Sequence, residues 1–191
     1  MKHILIVVDM QNDFLAGALG SESCRNAIPH VADLIKSRIW DKVFLTLDTH
    51  EVENYLDTLE GKMIPRLHCV KHTNGHKLCQ SVVNAVNEMK HPRCLPTDED
   101  VFELVEKDTF GSKDLTVILR GYACMYGQEN MEIHICGVCT SICVLANAVM
   151  VRAALPNSRI IAHESACGDV SDNRHKAAIE CLKAQLCEVV D

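Results

Sequence analysis

The segment Ile135-Cys136-Gly137-Val138-Cys139-Thr140-Ser141-Ile142-Cys143-Val144 carries the most reactive chemistry in this chain. A strand-like run meets a glycine turn and then a helix-like run. A thiol in the first helical turn faces N–H groups without intrahelical partners and the positive end of the helix dipole. That setting favours thiolate, and the same N–H groups can receive an oxyanion. Cys143 fits this place. Cys139 lies nearer the turn and is the second choice; a buried helix thiol is the plain alternative for both. Thr140 or Ser141 would cap the helix.

A nucleophilic thiol needs a proton acceptor and a group to hold its charge. Asp9 closes the apolar run Ile4–Val8 and can be the base, since partial burial hinders its ionisation unless a cation stands by. Lys107, after another strand-like run, can be that cation. A turn cap and a solvated lysine are the bland readings of the two. Asp48-Thr49-His50, with His68 arriving from the following loop, has the look of a metal set: a carboxylate and an imidazole two apart on an extended chain end can face one ion. Hydrogen-bonded loop residues would look the same. His72 and His76 are nearby alternatives that read as solvent-facing, and Trp40 reads as a packing residue.

These residues need a frame that gathers them. Strand-like runs alternate with helix-like runs, the pattern of an α/β fold with a parallel sheet. Strands are predicted over Lys2–Val8, Lys42–Leu47, Phe102–Glu106, Glu132–Cys136, Arg159–Ala162 and Glu188–Val190. Helices are predicted over Ser23–Ile39, Leu78–Lys90, Asp114–Tyr126, Thr140–Ala154 and Asp172–Leu186. Asp48–Gly75 reads as a long functional loop. Asp9, Asp48, Lys107 and the Gly137–Cys143 turn all follow C-terminal strand ends, the edge where open parallel sheets bind ligands.

Composition narrows the field. The 191 residues are 48% hydrophobic and 24% charged, which suits one globular domain over 1–191 and excludes wholesale disorder. A net charge of −7 and only 4% aromatic residues argue against nucleic acid as a partner. No run of about 18 apolar residues suggests a membrane span. The start lacks the features of a signal peptide, so a cytoplasmic setting is expected. The 11 cysteines then read mostly as small buried thiols rather than a disulfide scaffold. Eleven thiols with ten histidines also admit a different class, a redox or metal-buffering protein.

Taken in order, these pieces resemble the isochorismatase-like cysteine hydrolase superfamily, the group that includes nicotinamidases. Val7-Val8-Asp9-Met10-Gln11-Asn12-Asp13-Phe14 is similar to its opening motif, Lys107 with Phe110 to its second, and Gly137–Val144 to its third. The resemblance implies a Rossmann-like three-layer α/β/α sandwich with a mainly parallel six-stranded sheet. It implies Asp9 as general base, Lys107 as cation and Cys143 as nucleophile. A cis Val138–Cys139 peptide would aim the Cys139 N–H, with that of Cys143, into an oxyanion hole. The nicotinamidase branch implies a divalent metal (zinc, iron or manganese) on Asp48, His50 and His68, and no organic cofactor. Asn54 stands where that branch often has a further histidine, and Glu60 could substitute from the loop. Gln11 and Phe14 would contact substrate. Ile64-Pro65-Arg66-Leu67-His68 lacks the ring that the branch places before its ligand histidine.

The implied activity is hydrolysis of a small amide C–N bond through a thioester, with nicotinamide as the leading substrate and a homo-oligomer as the expected assembly. A metal-independent hydrolase of another small amide or carbamoyl compound is the alternative. Isochorismatase itself lacks the nucleophilic cysteine, so Cys143 favours amide over vinyl-ether cleavage.

Overall fold

A computed structural model describes residues 1–89 and 101–191. Six parallel strands form one sheet: β1 (Lys2–Val8), β2 (Lys42–Asp48), β3 (Phe102–Lys107), β4 (Met131–Val138), β5 (Arg159–Gly168) and β6 (Glu188–Val190), in the order β3-β2-β1-β4-β5-β6. The helices are α1 (Asn12–Leu15), α2 (Glu22–Ser37), α3 (Leu59–Met63), α4 (Gln80–Asn87), α5 (Lys113–Tyr126), α6 (Leu145–Ala154) and α7 (Asp172–Ala184). On one side α2 packs on β5, β4 and α4; α6 packs between α5 and α7. The expected three-layer α/β/α sandwich is the observed one. No helix among the described residues is long and apolar enough to cross a membrane.

β1 lies at the centre because its sequence permits nothing else. Ile4, Leu5, Ile6, Val7 and Val8 are all fully buried. Both faces of a central parallel strand are covered by helices, so an unbroken apolar run belongs there. Burying each such side chain contributes roughly 1.5–3 kcal/mol against the entropy of ordering the chain. Trp40 is buried too, and its Nε1–H donates to the Ile35 carbonyl at the end of α2. It is the packing residue its sequence context suggested.

Three departures from the sequence expectation matter. β5 continues to Gly168 instead of ending at Ala162, and its pairing with β4 shifts between Ile135 and Gly137. His163, Glu164 and Ser165 hid this, because their polar side chains occupy the irregular, partly exposed stretch. The segment after β2 is not bare loop: it holds a 3₁₀ turn at Tyr55–Asp57 and α3. The helix expected over Leu78–Lys90 is α4, and its last expected residue, Lys90, lies outside the described residues.

The opposite edge of the sheet is held by charge. Glu132 Oε1 lies 2.8 Å from His134 Nε2 and 3.0 Å from His3 Nδ1. Arg159 pairs with Oε2, and Arg38 stands 3.4 Å from Oε1. These groups place three metal-type donors together, but two guanidiniums already neutralise the one carboxylate, which makes the cluster a structural one. Burial alone would raise Glu132. The His134 and Arg159 interactions outweigh that and hold it at about 2, below the ordinary 4.5. A depressed carboxyl stabilises the fold above its unfolded pKa and loses that contribution as pH falls from about 4.5 towards 2. Glu132→Gln should therefore cost ~1–3 kcal/mol at pH 7 and flatten the acid limb of a urea-denaturation series across that window.

Candidate active site

Three strand ends deliver the reactive groups. Asp9 follows β1 at φ +49°, turning the chain sharply. Thr46 of β2 fixes its carboxylate: the hydroxyl donates to Oδ1 at 2.6 Å and accepts from the Asp9 N–H at 3.2 Å. Asp48 and Lys107 end β2 and β3 as a register pair. The Lys107 ammonium lies 2.7 Å from Asp9 Oδ2 and 3.4 Å from Asp48 Oδ1, and donates to Cys143 Sγ at 3.7 Å. The Asp9 carboxylate stands near enough to Cys143 to act on its thiol. All four side chains are buried.

Burial opposes the charge on Lys107, but Asp9, Cys143 and Asp48 together keep its pKa well above 10.5. Burial raises Asp9, Lys107 pulls it back and Asp48 raises it further; the net direction is up. Burial and the Asp9 carboxylate raise the Cys143 thiol, with Lys107 opposing. This corrects the sequence expectation of a thiol biased towards thiolate. Cys143 lies in a π-helical turn, Thr140–Val144, ahead of α6, and its side chain is buried. A resting thiol beside a carboxylate is a nucleophile armed by proton transfer.

The turn is also held differently than expected. Neither Thr140 nor Ser141 caps it. Asp169, just past β5, accepts from the Ser141 N–H at 2.5 Å and the Val170 N–H at 2.7 Å, while the Thr140 hydroxyl donates to the Gly168 carbonyl. Asp169 is fully buried and was missed because β5 seemed to end early. The Val138–Cys139 peptide is cis, as the resemblance implied. Gly137 sits at φ +116°, and a Cβ there would stand 2.2 Å from the Val8 carbonyl oxygen, so only glycine lets β4 pass β1 here.

Asp48 joins this group to a second one. Its Oδ2 lies 3.0 Å from His50 Nε2 and 3.4 Å from His68 Nε2; Glu60 Oε1 lies 3.6 Å and 3.5 Å from the same two nitrogens. The four donor atoms all fall within 4.8 Å of one another. Ligands bound at 2.0–2.2 Å stand roughly 3.0–3.5 Å apart around one ion, so the set fits a zinc-type site. His68 Nδ1 is engaged by the Arg66 carbonyl at 2.9 Å, which turns Nε2 inward. Tyr55, buried beneath, donates to the Ile64 carbonyl and packs its ring on both imidazoles. Burial would lower His68, but Asp48, Glu60 and the Arg66 carbonyl raise it to about 10. Burial raises Asp48, yet His50, His68 and Lys107 leave it well below the carboxylate range. Asn54 and His72 are exposed and outside the set, and His76 Nε2 lies on the Thr49 hydroxyl. Cys69, next to His68, is not part of the set, and its φ is +46°.

Gln11 needs correction. It is fully buried and is not among the residues that line the cavity over Cys143. Its amide donates to the carbonyls of Asp48 and His76, and its Oε1 accepts from the Asp48 N–H, each at 2.8 Å. It positions Asp48. Asp13, unremarked in the sequence reading beyond its place in the opening motif, accepts from the Cys69 N–H at 2.8 Å and so anchors the His68 segment. Phe14 lines a cavity of about 340 Å³ over Cys143, edge-on to His68. Cys139, Phe110, Ile142, Arg66 and Arg174 also line it.

The Isochorismatase domain model matches residues 3–191. The chain is 29% identical over 187 residues to an uncharacterized isochorismatase family protein, PncA, of Bacillus subtilis, covering 94% of this chain and 93% of that one. It is 28% identical over 178 residues to the nicotinamidase of Saccharomyces cerevisiae, covering 76% and 79%. Among solved structures, the nicotinamidase/pyrazinamidase PncA of B. subtilis superposes with a TM-score of 0.82 at 24% identity, covering all of both chains. The pyrazinamidase of Pyrococcus horikoshii in complex with zinc gives 0.72 at 24%, covering 100% and 99%.

A proton on His68 must leave before the nitrogen can ligate a metal. Zinc titration in weak buffer should release protons, and the apparent affinity should rise with pH from 6 to 9. His50→Ala should weaken binding by at least ~10–100-fold. Binding that is indifferent to both pH and His50 would exclude these four residues as a ligand set.

Proposed function

The chain belongs to the isochorismatase family, and from that premise we propose that it is a cysteine-dependent hydrolase of a small amide, nicotinamidase-like in its chemistry. The observation that carries this reading is the buried trio, with Lys107 bridging Asp9 and Cys143. Asp9 takes the Cys143 proton and the thiolate attacks the amide carbonyl. The Cys139 and Cys143 N–H groups receive the oxyanion, and Lys107 balances the charge. Asp9 returns the proton to the leaving nitrogen, ammonia departs, and water cleaves the thioester with Asp9 again as base. Asp48, His50, His68 and Glu60 would hold a divalent metal, which when bound supplies a coordination point for a ring nitrogen. Phe14 supplies one apolar wall for the ring.

Arg66 and Arg174 favour a second substrate class. Both are exposed and line the cavity, and a guanidinium pairs readily with a carboxylate. A carbamoyl amino acid would offer one. The non-enzymatic reading, a thiol buffer, fits poorly, because eight of the ten described free cysteines are buried. We keep the reading of one hydrolase domain over 1–191 in a cytoplasmic homo-oligomer.

An ammonia-release screen on nicotinamide, pyrazinamide, aliphatic amides and carbamoyl amino acids, with and without chelator, should find turnover. Cys143→Ala should lower it by roughly 10⁴-fold or more with Tm nearly unchanged. Comparable activity in that variant would refute the nucleophile. Sedimentation should show a dimer or larger species at micromolar concentration; a clean monomer would contradict the assembly.

A further inference from the structure

Behind the reactive thiol lies a second pair of sulfurs for which the proposed hydrolysis has no use. Cys24 Sγ is 4.0 Å from Cys139 Sγ. Cys24 is wholly buried, whereas Cys139 lines the cavity over Cys143. A small oxidant entering the cavity therefore meets Cys139, and Cys24 waits directly behind it.

The surroundings hold the pair in place. Cys24 sits in the first turn of α2, where its N–H donates to the capping Ser21 hydroxyl at 3.0 Å. The β5 backbone presses on it from the other side: a Cβ on Gly168 would come within 2.6 Å of Cys24 Cα. The hydrogen bond from Cys139 draws Cys24 below its ordinary thiol value against the pull of burial, and Ser21 adds to this. The same hydrogen bond, with burial, raises the Cys139 thiol, so it is the reach of the two sulfurs, and not a charge held on either, that prepares Cys24 to attack an oxidised neighbour.

We propose that Cys24 and Cys139 form an intramolecular disulfide on exposure to hydrogen peroxide, and that this reversible modification switches the site off. Cys139 sulfur attacks a peroxide oxygen, the O–O bond breaks, and a sulfenic acid and water form. The Cys24 sulfur then attacks that sulfur as its own proton leaves, and the departing hydroxide takes up that proton to form a second water. Two thiols are oxidised by two electrons and one peroxide is reduced.

Closing the sulfurs to about 2.05 Å requires Cys139 to move. Its carbonyl accepts the N–H groups of both Ile142 and Val144, on either side of Cys143, at 3.1 Å each. Movement of Cys139 is transmitted to the nucleophile and to the oxyanion N–H groups, while Cys143 itself stays reduced.

Treatment with stoichiometric peroxide, followed by non-reducing peptide mapping, should give a linked Cys24–Cys139 peptide in wild type and equally in Cys143→Ala. This readout needs no substrate, so it stands or falls independently of the hydrolase reading. Where turnover is measurable, activity should fall on the order of 10²-fold, the cost of a misplacement near 1 Å, and return with dithiothreitol. Cys24→Ala and Cys24→Ser should keep basal activity and lose the reversible component. A map showing only Cys139–Cys143 linkage or Cys143 sulfinic acid would overturn the proposal. So would reversible inactivation of both Cys24 variants to the wild-type extent.

Discussion

One buried ammonium holds the centre together. Lys107 lies between Asp9 and Asp48, so three strands end on a shared cation. At an effective dielectric near 20, each such contact is worth on the order of 4 kcal/mol, which must offset the cost of removing three charges from water. Removing the lysine would leave two carboxylates facing each other without compensation. Asp48 makes the arrangement continuous, because its two oxygens serve different partners: Oδ1 faces Lys107 and Oδ2 faces His50 and His68. The thiol group and the metal-type cluster are one electrostatic unit, and charge placed on the histidines is felt at Cys143 through two side chains.

The backbone supports that unit through the sheet edge. Parallel strands converge their carboxyl ends, and the residue just past each strand is free of ladder geometry. Asp9 uses that freedom to adopt a left-handed turn, while Gly137, still inside β4, lets that strand pass close to Val8. The remaining positions are secured by hydrogen bonds from residues that never reach the cavity: Thr46 on Asp9, Gln11 on Asp48 and Asp169 on the nucleophile's turn.

What was legible in the sequence follows from this. Asp9 and Asp48 could be read because each closes an apolar run with a carboxylate, and Lys107 and Cys143 because each follows a strand-like run within a motif that resembles the family's. His50 and His68 were legible as a spaced set. The supporting residues were not. Gln11 looks like a substrate contact because an amide at a strand end suits either role, and only the direction of its side chain decides. Asp169 was hidden by polar residues inside β5, where an irregular register relaxes the usual apolar pattern. The state of the Cys143 thiol depends on enclosure by the whole fold, and a local rule about helix ends could not supply it.

The segment after β2 is fastened chiefly through residues of the opening motif. Gln11 grips Asp48 at its start, Asp13 holds the Cys69 N–H, and the Cys79 N–H donates to the Met10 carbonyl at its end. Between those fastenings lie His50, Glu60 and His68, together with cavity walls such as Ile64 and Arg66. Such a segment is a natural cassette. Evolution, or a designer, can exchange its interior and redirect what the cavity accepts, provided that the clasp residues on the opening motif travel unchanged.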